Sequence, residues 1–182
     1  IARDVEVGFI KNTMVEPANN STARKTAGLA SVITTNVKNN ADTTLDNYDI
    51  LDVMQMCYDN GGLMEGETRV LMVGSTQKRA ISEAFVNATD GYRWQDSNVG
   101  GVNCQSIETD FGKLNVMLNR HVPSDEAYVL SLEDLDVCFL EVPGKGHFFV
   151  EPLSKTGAAD KYQIYGEIGL KYGNQRKHGR LH

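Results

Sequence analysis

The chain has 182 residues, of which 41% are hydrophobic and 23% charged, and a formal net charge of −6. This balance is that of one globular domain or two small lobes, and it excludes disorder, collagen and coiled coil as overall descriptions. The acidity also weighs against a dedicated duplex-DNA binder, which is normally basic.

The chain opens at Ile1 inside a patterned segment, so a processed or trimmed piece of a longer protein is expected. Ile1, Val5 and Phe9 recur at i, i+4, i+8, and Ile1 to Val15 reads as the end of a helix. Pro17 and Asn19-Asn20 stop it. Residues 19–47 form a long polar connection with an apolar knot at Leu29, Val32 and Ile33 and room for one strand. Asn-x-Ser/Thr triplets at Asn19, Asn20 and Asn87 matter only in a secreted protein and are read as chance.

A helix is predicted from Tyr48 to Asn60, with Asp46 as its N-cap and Gly61-Gly62 ending it. Arg69 to Val73 reads as a buried strand. Ser75 is positioned to cap a second helix running to Phe85. Residues 87–101, which carry the sole tryptophan, Trp94, read as a loop. Strands follow at 102–109, 113–120 and 127–142, the first two joined by a tight turn at Phe111-Gly112. Pro143-Gly144 breaks the third. The last strand is the longest. Tyr162, Ile164, Ile168, Leu170 and Tyr172 share one of its faces, and Lys161, Gln163, Glu167 and Lys171 the other. Gly166 interrupts the apolar stripe.

Few patterns point to catalysis. Gly144-Lys145-Gly146-His147 lacks the spacing of a phosphate loop, and Phe148 stands where Ser or Thr would hold magnesium, so a turn is the better reading. His121 and Asp125 are four apart, but Pro123 between them prevents a helical ligand pair. Cys57, Cys104 and Cys138 are too sparse for a disulfide framework or a zinc site and read as reduced thiols. No nucleophile elbow accompanies any serine, and Cys104 has no placed base. The carboxylates at 133–136 sit on a predicted strand edge, which suits a solvated face or a subunit contact better than a cleft. No apolar run approaches the roughly 18 residues of a membrane helix, and no signal peptide is visible. No cofactor is expected.

Charge is uneven. Residues 151–182 carry a net +3 and residues 1–150 a net −9. Between Arg120 and Lys145 lie Asp125, Glu126, Glu133, Asp134, Asp136 and Glu141, with no base. Both regions read first as solvated faces. An acidic patch and a basic tail on one chain can also meet between copies, head to tail.

The last stretch, VEPLSKTGAADKYQIYGEIGLKYGNQRKHGRL, resembles the C-terminal signature of a family of tailed-bacteriophage major capsid proteins. In that family a Lys-Thr-Gly turn precedes a long strand with a central Glu and a polar run. Lys155-Thr156-Gly157, Glu167, Asn174 and His178 occupy those places. Arg3-Asp4-Val5-Glu6 is similar to the family's helix motif. Ala23-Arg24-Lys25-Thr26-Ala27-Gly28-Leu29, followed by Ile33-Thr34-Thr35-Asn36, is similar to a second stretch. Thr109-Asp110-Phe111-Gly112 with Asn119-Arg120 resembles the family's hairpin. The order and spacing of these segments carry the likeness.

The resemblance implies an α+β, Hong-Kong-97-like capsid fold. On that plan residues 1–39 are the end of the spine helix and its connection in a peripheral lobe. Residues 40–150 are an axial lobe, and 151–182 return as a peripheral-lobe strand. The family's N-terminal arm, extended loop and front of the spine helix have no counterpart in the sequence, and an assembly-defective core is the expectation. The implied function is self-association into pentamers, hexamers and an icosahedral shell around double-stranded DNA, without catalysis. Implied partners are other copies, neighbouring phage structural proteins and, weakly, packaged DNA, with no membrane. The implied location is the virion, after synthesis in the bacterial cytoplasm. Expected subunit contacts are the acidic strand with Asp125, Glu126, Glu133, Asp134 and Asp136, the loop with Trp94, and the tail with Arg176, Lys177 and Arg180. Alternatives are an encapsulin-like shell around protein cargo, a small phage enzyme, and an adaptor, decoration or carbohydrate-binding module.

Overall fold

The computed structural model describes the backbone of all residues except 20, 41–44, 65, 88–93, 100–101 and 156, and leaves aside the side chains of 47, 84–87, 94–99 and 102–105. The fold is mixed α+β, with two sheets. Its elements in order are α1 (Ala2–Lys11), α2 (Leu29–Val32), β1 (Val37–Lys38), α3 (Asn47–Asp59), β2 (Arg69–Val73), α4 (Ser75–Asn87), β3 (Trp94–Val99), β4 (Val102–Thr109), β5 (Gly112–Leu118), β6 (Ala127–Ser131), β7 (Leu135–Leu140), β8 (Phe148–Leu153), β9 (Lys161–Tyr172) and β10 (Gly179–Leu181). A seven-stranded sheet has the order β1-β10-β6-β2-β5-β4-β3, and a three-stranded sheet the order β7-β9-β8.

The centre of the seven-stranded sheet is covered on both faces, which is why β2 and β6 are buried along their whole lengths. The period of two divides their residues between two cores. Leu71, Val73, Ala127 and Val129 meet Ile50, Val53, Met54 and Cys57 of α3 and Ile81 of α4. Met72, Tyr128 and Leu130 point the other way, to Ile10 of α1 and to Leu29 and Ile33 around α2. Each fully buried aliphatic side chain contributes roughly 1.5–3 kcal/mol. Leu135 and Leu170 of the three-stranded sheet pack against this second core. The two sheets are thereby joined.

Helix α3 lies where its apolar face predicts. Asp49, at its third position, accepts a hydrogen bond from the Asp46 amide at 3.1 Å, the return half of a capping box. Helix α4 differs at its start. Ser75 is inside the helix, and Gly74 supplies the first carbonyl, to Lys78 at 3.0 Å. Helix α1 ends at Lys11 rather than Val15, because Asn12 turns extended. The apolar knot at Leu29 is one helical turn, and the strand of that connection is the two-residue β1.

Two expectations about strands are overturned. Residues 94–99 are not loop but strand β3, which pairs antiparallel with β4, Trp94 opposite Ile107. Its run of Gln, Asp, Ser and Asn has none of the apolar alternation by which a strand is read, and the β4 ladder overrides that propensity. Residues 127–142 are not one strand. A 3₁₀ turn at Leu132–Asp134 parts β6 from β7 and sends them to different sheets. The three-stranded sheet draws β7 from before position 151, β8 from across it and β9 from after it, while β10 returns to the larger sheet. The tight turn expected at Phe111-Gly112 falls one residue earlier, at Asp110-Phe111, with Thr109 opposite Gly112 as the first residue of β5. The Gly144-Lys145-Gly146 segment is a turn as well, with both glycines at positive φ.

Candidate interaction surface

The acidic and basic segments meet each other inside the chain. Arg180 Nη2 lies 2.7 Å from Glu126 Oε1, and its Nη1 donates to the Ala30 carbonyl at 2.8 Å. The fully buried Tyr128 donates its hydroxyl to Glu126 Oε2. Burial, and then the carboxylate beside it, raises that phenol above its ordinary pKa. Lys177 Nζ sits 2.9 Å from Glu67 and 3.0 Å from Asp134, and the two carboxylates hold its ammonium charged. Glu133 accepts from the Thr68 amide at 2.6 Å. Of the nine residues expected at subunit contacts, Glu126, Glu133, Asp134, Lys177 and Arg180 are thus engaged within the fold. Asp125, Asp136 and Arg176 stay exposed. The side chain of Trp94 lies outside the described residues.

A consequence can be measured. Replacing Arg180 by Glu leaves the partly buried Glu126 facing a like charge, and is expected to cost about 3–5 kcal/mol in urea unfolding. Replacing Arg176 by Glu is expected to change stability by no more than about 0.5 kcal/mol. Equal effects at the two positions would contradict this assignment.

The three-stranded sheet carries a different surface. Antiparallel partners share a face, so the registers of β7, β8 and β9 sort their side chains. On one face stand Leu135, Val137 and Phe139 of β7, Phe148, Val150 and Pro152 of β8, and the even-numbered residues of β9 from Tyr162 to Tyr172. None is charged. The opposite face is mixed: it holds Asp136, Glu151, Lys161, Glu167 and Lys171 together with Leu140, Phe149, Leu153 and Tyr165. There Lys145 pairs with Glu151 at 2.5 Å, which lowers the pKa of that carboxyl, and Gln163 donates to Glu151 at 3.1 Å.

The apolar face is covered at one end and bare at the other. Leu135 and Leu170 lie against the core below. Val150 is 62% exposed, Ile164 58% and Tyr162 65%. Between the two ends, Gly166 makes room for aromatic packing. A Cβ there would come within 2.4 Å of the Phe148 ring. That ring meets Phe139 edge-on, with centroids 6.1 Å apart. Gly166→Val is expected to displace Phe148 and lower the melting temperature by several degrees. An unchanged melting curve would contradict the packing described. A contiguous uncharged face of this kind marks an interaction site when it exceeds a few hundred Å².

Among the described residues, no cluster of His, Cys, Asp and Glu is placed to hold a metal ion. His121 Nε2 faces Glu6 at 3.5 Å rather than a nucleophile. Among the described residues no helix is long and apolar enough to cross a membrane. Cys57 is buried among α3 and β10, its thiol pushed up to about 12 by burial. The apolar stripe of β9 is legible in the sequence, and its partners on β7 and β8 are not. Val137-x-Phe139 and Phe148-x-Val150 carried the signal, as short alternations on either side of a Pro-Gly turn.

Comparison with known proteins gives three findings. The family model of SU10 major capsid proteins matches residues 1–182. No curated protein matches. Among solved structures, the chain is similar to a virus-like particle from Pyrococcus furiosus, at 12% identity and a TM-score of 0.48. That likeness covers 85% of this chain, which spans 58% of the other's length.

Proposed function

The chain belongs to the SU10 major capsid protein family, and we propose that it is a structural subunit of a tailed-phage or prophage capsid. Many copies associate into pentamers and hexamers, and these into an icosahedral shell around double-stranded DNA. In this proposal residues 40–150, with α3 and α4, form the axial lobe, and residues 1–39 with α1 and 151–182 with β9 form the peripheral lobe.

One observation carries the reading beyond the family match: the uncharged face of the three-stranded sheet, bare at Val150, Tyr162 and Ile164. A sheet face that carries no charge along its whole length is completed by a covering layer. A second copy of the chain is that layer, since capsid subunits are surrounded by copies of themselves. The exposed charges of Asp125, Asp136 and Arg176 then set orientation at the rim, where they act on encounter more than on affinity. The net charge of −6 suits a wall against which packed DNA must slide. The subunit is made in the bacterial cytoplasm, resides in the virion and needs no cofactor.

Negative-stain electron microscopy of the full reading frame tests the proposal. Closed shells, or rings of five or six copies, are the expected result. A monodisperse monomer at every salt and protein concentration would overturn it.

A further inference from the structure

The chain leaves the seven-stranded sheet for the three-stranded one, and returns, through one polar junction. The outgoing passage is Ser131 with the 3₁₀ turn Leu132–Asp134. The returning passage is Gly173, a 3₁₀ turn at Gln175–Lys177, and His178. The Gly173 amide donates to the Asp134 carbonyl at 2.7 Å, and Lys177 clamps Asp134 to Glu67. In the middle lies His178, with none of its surface exposed. Its Nδ1 accepts a hydrogen bond from the Ser131 amide at 3.3 Å. That bond places the proton of the neutral ring on Nε2, which has no hydrogen-bond partner among the described residues.

We infer that His178 is a proton-operated latch between the two sheets: neutral, it holds Ser131 and fixes the junction; protonated at Nδ1, it releases Ser131 and frees the three-stranded sheet to move. The inference goes beyond the shell role and stands on the junction's geometry. A proton on Nδ1 would point at the Ser131 N–H, donor against donor, and the hydrogen bond is lost. The cation would also be buried.

The charged groups around the ring come from several elements. Glu67 and Asp134 favour the cation and Lys177 opposes it. Glu133 is engaged by Thr68 and the Ser131 hydroxyl. Arg69, opposite Ser131 in the ladder, sends its guanidinium to the carbonyls of Leu63, Met64 and Phe111. Cys57, below Gly179, stays protonated. Burial is the largest influence and lowers the ring below its ordinary value of 6.5. A lowered value in the folded state means that the unfolded or opened state binds the proton more readily. The latch is therefore fully closed above about pH 6.5 and weakens as pH falls from there towards the depressed value.

The test is amide hydrogen exchange at pH 7.5 and 5.5, corrected for intrinsic rates, on the protein and on His178→Gln. Glutamine retains an acceptor for the Ser131 amide and has no proton to gain. Protection at Ser131 and Gly173 is expected to fall in the native protein, by up to about tenfold, the ceiling that one unit of pH below 6.5 sets, and to hold in the variant. An equal fall in both proteins, or none in the native one, overturns the latch. Should the variant fail to fold, NMR titration of the native His178 ring decides. The expected result is an Nε2-protonated ring whose midpoint lies below 6.5 and coincides with loss of protection at Ser131. A ring that titrates without any change at Ser131 overturns it.

Discussion

Arg69→Ala is expected to be among the most damaging single substitutions in the fold, at about 3–5 kcal/mol. Arg69 opens β2 and is only 8% exposed. Its Nη1 donates to the Phe111 carbonyl, and its Nη2 to those of Leu63 and Met64, each at 2.7 Å. The guanidinium thus ties the β4–β5 turn to the loop after α3. It also holds Leu63 at a φ of +58°, a region that favours glycine. Hydrogen bonds from a charged donor contribute about 1.5–3 kcal/mol each, and truncation leaves three carbonyls and a cavity behind. Gly112 shares the site: it adopts a φ of +103°, and a Cβ there would come within 2.5 Å of Nη1. Arg69→Lys should rescue little, because one ammonium cannot span both sides of the fork. Urea unfolding checks this. A loss under about 1 kcal/mol for Arg69→Ala would contradict the clamp.

Val150→Lys combined with Ile164→Lys is expected to abolish assembly while leaving the subunit folded. These residues stand opposite each other in the β8–β9 ladder, and both are more than half exposed in the single subunit. An exposed site accepts lysine at a cost within about 0.5 kcal/mol. Buried against a second copy, the two ammonium groups would each face several kcal/mol of desolvation without a partner. Circular dichroism and the urea midpoint should stay near those of the native protein while large particles disappear. A loss of folding would place the two residues in the core instead, against their exposure.

The sequence made the fold legible wherever one face decides an element. Helix α3, strand β2 and the faces of β9 follow directly from apolar spacing. Strand β3 did not, because its polar residues become strand only by pairing with β4. The break at Leu132–Asp134 did not either. Nothing in Ser131-Leu132-Glu133 marks a stop, and the break arises from tertiary bonds: Leu132 and Glu133 both bind Thr68. The interaction surface was half legible. Charge patterning pointed to the acidic segment and the basic tail, yet Arg180 and Lys177 find their carboxylates within the same chain. Sequence separation hid that, since Glu126 and Arg180 become neighbours only when β10 pairs with β6. The apolar face needed three strand registers at once, which no single-strand pattern contains.

Sedimentation velocity of the full reading frame, native and Val150→Lys/Ile164→Lys side by side at equal concentration, tests the central claim most directly. The account predicts capsomer-sized or larger species for the native protein and a folded monomer for the variant. Native and variant proteins that sediment alike, whether both assembled or both monomeric, would contradict it.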